Sequence, residues 1–88
     1  MATVINDEQA IQNVSDNVSH LLSERRMSQA ELARATKETE MNISRLVRGS
    51  NMPGVAILAR VAETLGVSVD YLLSSHPRAT KKKSRNSA

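Results

Sequence analysis

The sequence predicts an all-α fold, a compact bundle of five helices spanning residues 7 to 76. Three observations lead there. Apolar residues recur at spacings of three and four in successive segments, the period of an amphipathic helix. Those segments are opened by capping side chains or closed by glycines. No stretch alternates apolar and polar residues as a half-buried strand does, and no internal repeat is present.

The first helix is expected over residues 7 to 25. Asn6 is its N-cap, Asp7 and Glu8 suit the first turn, and Gln9 sits at N3, so Asn-x-x-Gln reads as a variant capping box. Ile11, Val14, Val18, Leu21, Leu22 and Arg25 then share one face. Ser28-Gln29-Ala30-Glu31 is a Ser-x-x-Glu capping box that opens a second helix, with Leu32 and Ala33 facing inward and an end near Thr36 or Lys37.

Thr39 is the next cap. A third helix follows to Arg48, carrying Ile43, Leu46 and Val47 at helical spacing, and Gly49 stops it. Ser50-Asn51-Met52-Pro53-Gly54 is a turn by composition. Val55, Leu58, Val61, Ala62 and Leu65 form the face of a fourth helix that ends at Gly66. Ser68 caps a short fifth helix in which Leu72 and Leu73 close the core. Residues 1–6 read as an N-terminal arm, and residues 77–88 as a disordered basic tail without apolar periodicity.

Composition excludes several classes of function. There is no cysteine among the 88 residues, so a disulfide framework, a thiol nucleophile and a thiolate metal site are ruled out. No apolar run approaches the roughly 18 residues of a membrane span, and no signal-peptide pattern opens the chain. Tyr71 is the only aromatic residue. The core is therefore aliphatic, and readers of single strands that stack bases on aromatic platforms are disfavoured.

Charge is unevenly placed. The net +3 hides a tail with Arg78, Lys81, Lys82, Lys83 and Arg85 and no acid, whereas residues 1–76 carry seven basic against nine acidic side chains. Six of those seven lie between Arg25 and Arg48. A basic middle segment and a basic tail point to a polyanionic partner, although a solvated tail has the same composition.

Two short helices joined by a tight turn make a helix-turn-helix. Met27-Ser28-Gln29-Ala30-Glu31-Leu32-Ala33, Ile43-Ser44-Arg45-Leu46, Arg48-Gly49, Pro53 and the run from Leu58 to Leu73 resemble the Cro and cI phage-repressor (XRE-type) helix-turn-helix family, over about residues 14 to 74. The resemblance implies a lambda-repressor-like DNA-binding domain that reads double-stranded DNA as a homodimer. Its third helix would lie in the major groove. Glu40, Met41, Asn42 and Arg45 are then the expected base readers. Arg45 suits guanine, Asn42 adenine or a phosphate, Glu40 the cytosine amino group and Met41 a thymine methyl. Ser28, Gln29, Thr39, Arg48, Ser50 and Asn51 are the expected phosphate or groove-edge contacts. For Met41 plain surface is the other reading, and for Glu40 it is a first-turn acid that suits the helix dipole.

Three departures from the family pattern stand out. Lys37 occupies a position that is commonly Gly, so a positive φ there implies a strained or reshaped turn. Glu38 replaces a small apolar residue and is expected at the rim, near Arg34. Leu22 and Val47 replace an ion pair with an apolar pair, which keeps the core consistent.

No cofactor, metal or catalytic role is expected. His20 and His76 lack a ligand set, and there is neither a phosphate loop nor a carboxylate pair placed for catalysis. Val55, Ile57, Val69 and Tyr71 are the expected dimer surface, read as exposed apolar residues, with Ile11 and Val14 as the alternative. The chain is expected in the cytoplasm, as a stand-alone regulator or as the DNA-binding piece of a longer repressor. A protein-binding module of the antitoxin type is the second reading, for which Val4 and Ile5 are the available apolar segment.

Overall fold

The computed structural model describes residues 6–76; the basic tail, and the arm with Val4 and Ile5, lie outside the described residues. Five helices follow in order: α1 (Asp7–Arg25), α2 (Gln29–Thr36), α3 (Glu40–Arg48), α4 (Val55–Leu65) and α5 (Val69–Leu73). No strand occurs among the described residues.

The caps explain the boundaries. Ser28 and Glu31 form the reciprocal capping box of α2, with the Glu31 backbone N–H donating to Ser28 Oγ at 3.0 Å and the Ser28 N–H to Glu31 Oε1 at 2.8 Å. Thr39 accepts from the Asn42 N–H at the start of α3, and Ser68 from the Tyr71 N–H at the start of α5. The box expected for α1 is only half formed. Asn6 accepts from the Gln9 N–H at 2.7 Å, but the Gln9 amide turns forward and donates to Asn13 Oδ1 at 2.9 Å. Asn13 lies one turn along on the same face and offers a stronger packing context than the exposed Asn6 backbone.

Four helices end in the left-handed region: at Arg26 (φ 54°), Lys37 (φ 61°), Gly49 (φ 73°) and Gly66 (φ 75°). At Gly49 the conformation is matched by a close approach, because a Cβ there would lie 3.4 Å from Ser15 Cβ on α1. Lys37 takes the strained conformation without reshaping the turn. Its N–H donates to the Arg34 carbonyl at 3.3 Å and the Glu38 N–H to the Ala33 carbonyl at 2.9 Å, so the closing bonds of a Schellman turn are intact.

The core is aliphatic. Val14, Val18, Leu21, Leu22, Leu32, Ala33, Ile43, Leu46, Leu58, Val61, Ala62, Leu65 and Leu72 are all buried. Helix α1 packs on α3 and α5, α2 on α3 and α4, and α4 on α5. Leu22 belongs to this core and Val47 packs against it, half-buried. Val14 is a core residue and so unavailable to a second subunit.

Polar side chains of α1 close the C-terminal ends of three other helices. Ser15 Oγ donates to the Val47 carbonyl of α3. Arg25 Nη2 donates to the Leu65 carbonyl of α4 at 2.8 Å. Asn13 Nδ2 donates to the Leu73 carbonyl at 2.8 Å, and Asn17 Nδ2 to the carbonyls of Leu72 and Ser74, both at 2.8 Å, and of Tyr71 at 3.0 Å. The last carbonyls of a helix lack intrahelical partners, so buried ends need such donors. The long α1 is therefore a brace that fixes where α3 stops relative to the rest of the bundle.

Candidate nucleic-acid interface

Helix α3 has two faces. Ile43 and Leu46 are buried, with Val47 half-buried beside them. Met41, Arg45 and Arg48, one turn apart along the helix, are exposed. Met41 leaves 61% of its surface in solvent. Thr39 and the inner stripe thus hold the helix by one side and leave the other free.

The two arginines of α3 differ in their engagement. Arg48 Nη1 donates to Ser44 Oγ at 2.8 Å. Arg45 forms no ion pair among the described residues, where the three pairs are His20–Glu24, Arg25–Glu24 and Arg60–Glu38. Its guanidinium is therefore open to an anion or a base edge. The backbone carbonyl of Arg45 accepts from the Ser50 N–H at 3.0 Å, which fastens the following turn to the end of α3.

Arg45 also lines a cleft of about 130 Å³ between α3 and the start of α4, with Asn42, Leu46, Asn51, Met52, Pro53, Gly54 and Ile57 around it. Three expected contact residues, Asn42, Arg45 and Asn51, thus come together. Glu40 is exposed in the first turn of α3. Ser28 and Gln29 stand exposed at the start of α2, outside this cleft, and Ser50 is exposed behind Gly49.

Glu38 departs from its expected surroundings. Its side chain is only 12% exposed, and its partner is Arg60 of α4, not Arg34. Arg60 Nη2 donates to Glu38 Oε2, while Asn42 Nδ2 donates to Glu38 Oε1 at 3.1 Å. The hydrogen bond from Asn42 is the main influence holding the Glu38 carboxyl below its ordinary range. Burial opposes that shift, and the Arg60 hydrogen bond and charge add to it. Arg34 lies on the preceding helix only four positions away, but Arg60 is brought in from 22 residues on by the packing of α2 against α4.

The expected dimer surface is also redistributed. Val55 is 84% exposed, as expected, but Ile57, Val69 and Tyr71 are half-buried and pack against the core. Ile57 turns into the cleft beside Arg45. Tyr71 is stacked on His76, with ring centroids 3.9 Å apart and planes 21° from parallel. Met52, 38% exposed, was not singled out by periodicity because it lies in a turn.

Among the described residues no group of His, Asp and Glu is placed to hold a metal ion, and no helix is long and apolar enough to cross a membrane. His20 instead approaches Glu24, with Nε2 to Oε2 at 3.2 Å.

Comparison with known proteins agrees with this geometry. No curated protein matches the chain. Among solved structures it is similar to the hypothetical transcription factor NHTF from Neisseria, with 20% identity and a TM-score of 0.74 over 97% of this chain and 96% of that one. It is also similar to the clp gene regulator ClgR from Corynebacterium glutamicum, with 23% identity and a TM-score of 0.66 over 80% of this chain and 72% of that one. These likenesses show the fold. The helix-turn-helix family model matches residues 21–72, which hold both helices of the motif, the turn between them, α4 and most of α5. With α2 and α3 in the motif, α3 exposed along its outer face and more than half of the chain matched, the protein belongs to the Cro/C1-type helix-turn-helix family of DNA-binding transcription regulators.

Proposed function

We propose that the protein is a repressor that binds a palindromic operator as a homodimer, with α3 in the major groove. The observation that carries this reading is the outer face of α3. It presents Met41, Asn42, Arg45 and Arg48 over nine residues of helix, and Arg45 has no ion-pair partner among the described residues. A planar guanidinium on such a face suits the O6 and N7 of guanine. Gln29 and Ser28 at the start of α2 suit a phosphate, since a helix N-terminus favours an anion. Ser50 and Asn51 follow α3 and suit the groove edge.

A nine-residue helix spans few base pairs, and two copies related by a twofold axis are the usual way to extend the site. Val55, the most exposed large apolar side chain among the described residues, is the best remaining anchor for that contact. Repression by occupancy needs nothing beyond tight operator binding, and we place it in the cytoplasm, where a phage or host operon is reached. Selection of bound duplexes from a random DNA library tests this. An inverted repeat with half-sites about 10 base pairs apart is expected. Salt-sensitive binding without enrichment would overturn sequence-specific recognition and leave a basic surface alone.

A further inference from the structure

Among the described residues, Asn42 is the one on the outer face of α3 whose side chain is fastened outside the helix, to the preceding turn. Its Nδ2 donates to Glu38 Oε1 at 3.1 Å. The other oxygen of the same carboxylate accepts from Arg60 Nη2. Thr39 Oγ1 meanwhile accepts from the Asn42 backbone N–H at 3.0 Å, so the backbone at this position is pinned as well. The carboxylate is thus held at both oxygens by different helices.

The chemistry of this arrangement has one orientation. An asparagine amide has two ends, an acceptor oxygen and a donor nitrogen, and rotation by half a turn exchanges them. An ionised carboxylate only accepts, so it tolerates the nitrogen and repels the oxygen. The Arg60 guanidinium keeps Glu38 charged and keeps its carboxylate from turning away. The Asn42 Oδ1 is therefore turned away from Glu38, together with the second N–H of the amide.

We propose that Glu38 and Arg60 are positioning residues that lock the Asn42 amide in one flip, and that this lock makes Asn42 a reader of adenine. An oxygen and an N–H side by side match the N6 amino group and N7 of adenine. With the amide reversed, at the same place in the groove, donor faces donor and acceptor faces acceptor. The inference rests on the reading that α3 enters the major groove. It gives a use to the charged residue in the turn of the motif, whose carboxylate is held by both Asn42 and Arg60.

The test compares wild type, Glu38→Gln and Arg60→Met by library selection, with base preference counted position by position. Glutamine keeps the shape of Glu38, but with its oxygen held by Arg60 it turns an N–H toward Asn42 and favours the reversed flip. For Glu38→Gln, adenine preference is expected to fall about tenfold at one position of each half-site, with the other positions unchanged. Arg60→Met, which leaves the carboxylate in place, is expected to lose less at that same position. The side-chain amide signals of Asn42 give a DNA-free readout by NMR, with one proton expected to shift between wild type and Glu38→Gln. Affinity that falls equally at all positions, or amide signals that do not move, would overturn the proposal and leave the trio as a brace for the turn. A wild type that shows no base preference at all would overturn the major-groove reading first, and the proposal with it.

Discussion

Asn17 of α1, fully buried, donates from Nδ2 to the Leu72 carbonyl of α5 at 2.8 Å, across 55 residues of chain. The same nitrogen reaches the Tyr71 and Ser74 carbonyls. A five-residue helix is too short to hold itself, since nucleation alone is unfavourable. The end of α5 is ordered by α1. Asn17→Leu is expected to cost about 1–3 kcal/mol, because it leaves the buried Leu72 carbonyl without this donor. Denaturant unfolding measures it, and a cost below about 1 kcal/mol would mean that the α5 end finds other partners.

Lys37 closes α2 at φ 61°. A side chain in this region costs roughly 1–2 kcal/mol, and glycine avoids that cost while losing about 0.4–1 kcal/mol through its freer unfolded chain. Lys37→Gly is therefore expected to stabilise the domain by about 0.5–1 kcal/mol. Thermal unfolding gives the sign directly. A lower melting temperature would mean that the Lys37 side chain contributes more than its backbone costs.

Glu38 predicts a pH dependence. Its carboxyl is held below the ordinary range in the folded state, first by Asn42 and then by Arg60. The unfolded chain therefore binds the proton more readily. The stabilisation is complete above the ordinary glutamate range, about pH 4.3, and is lost as pH falls through the lower folded value. The stability difference between wild type and Glu38→Gln is expected to shrink on acidification from neutrality through that window. A difference that stays constant would show that neither Asn42 nor Arg60 holds the carboxylate in solution.

On the proposed reading of α3, base recognition rests most on Arg45, which has no ion-pair partner among the described residues. Arg45→Ala is expected to weaken specific binding by about 1–3 kcal/mol and to relax preference at one base pair per half-site. Competition between matched and mismatched duplexes separates the two effects. If affinity falls equally for all sequences, Arg45 touches phosphate and not a base.

Gly49 lies at φ 73°, and a Cβ there would approach Ser15 of α1. Gly49→Ala is expected to destabilise by about 1–2 kcal/mol from the backbone alone. Because Ser15 Oγ donates to the neighbouring Val47 carbonyl, the same substitution shifts the end of α3. Loss of DNA binding beyond the loss of stability, read at a temperature where the variant is folded, checks that coupling.

The helices and their ends were legible from local sequence. Ser28 with Glu31, Thr39, Ser68, Gly49 and Gly66 each act within four residues, and the aliphatic stripes of α1, α3 and α4 repeat with the helical period. The outward face of α3 follows from the same period, since Ile43 and Leu46 inside leave Met41 and Arg45 outside. Tertiary structure alone decided which polar side chains meet. Asn13, Ser15 and Asn17 flank an apolar stripe and are weak helix formers, and nothing local says that they close the ends of α3 and α5. Arg60 is likewise invisible as the partner of Glu38, because the two are joined by packing of α2 on α4 and not by spacing. Ile57 and Tyr71 have the hydrophobicity of an interface, and their half-burial against the core is set when the bundle closes. Hydrophobic periodicity and capping are short-range and repeat along the chain, so sequence determines them. A hydrogen bond between distant residues is a property of the assembled bundle, since only packing brings both partners within 3 Å and excludes the water that would otherwise satisfy them.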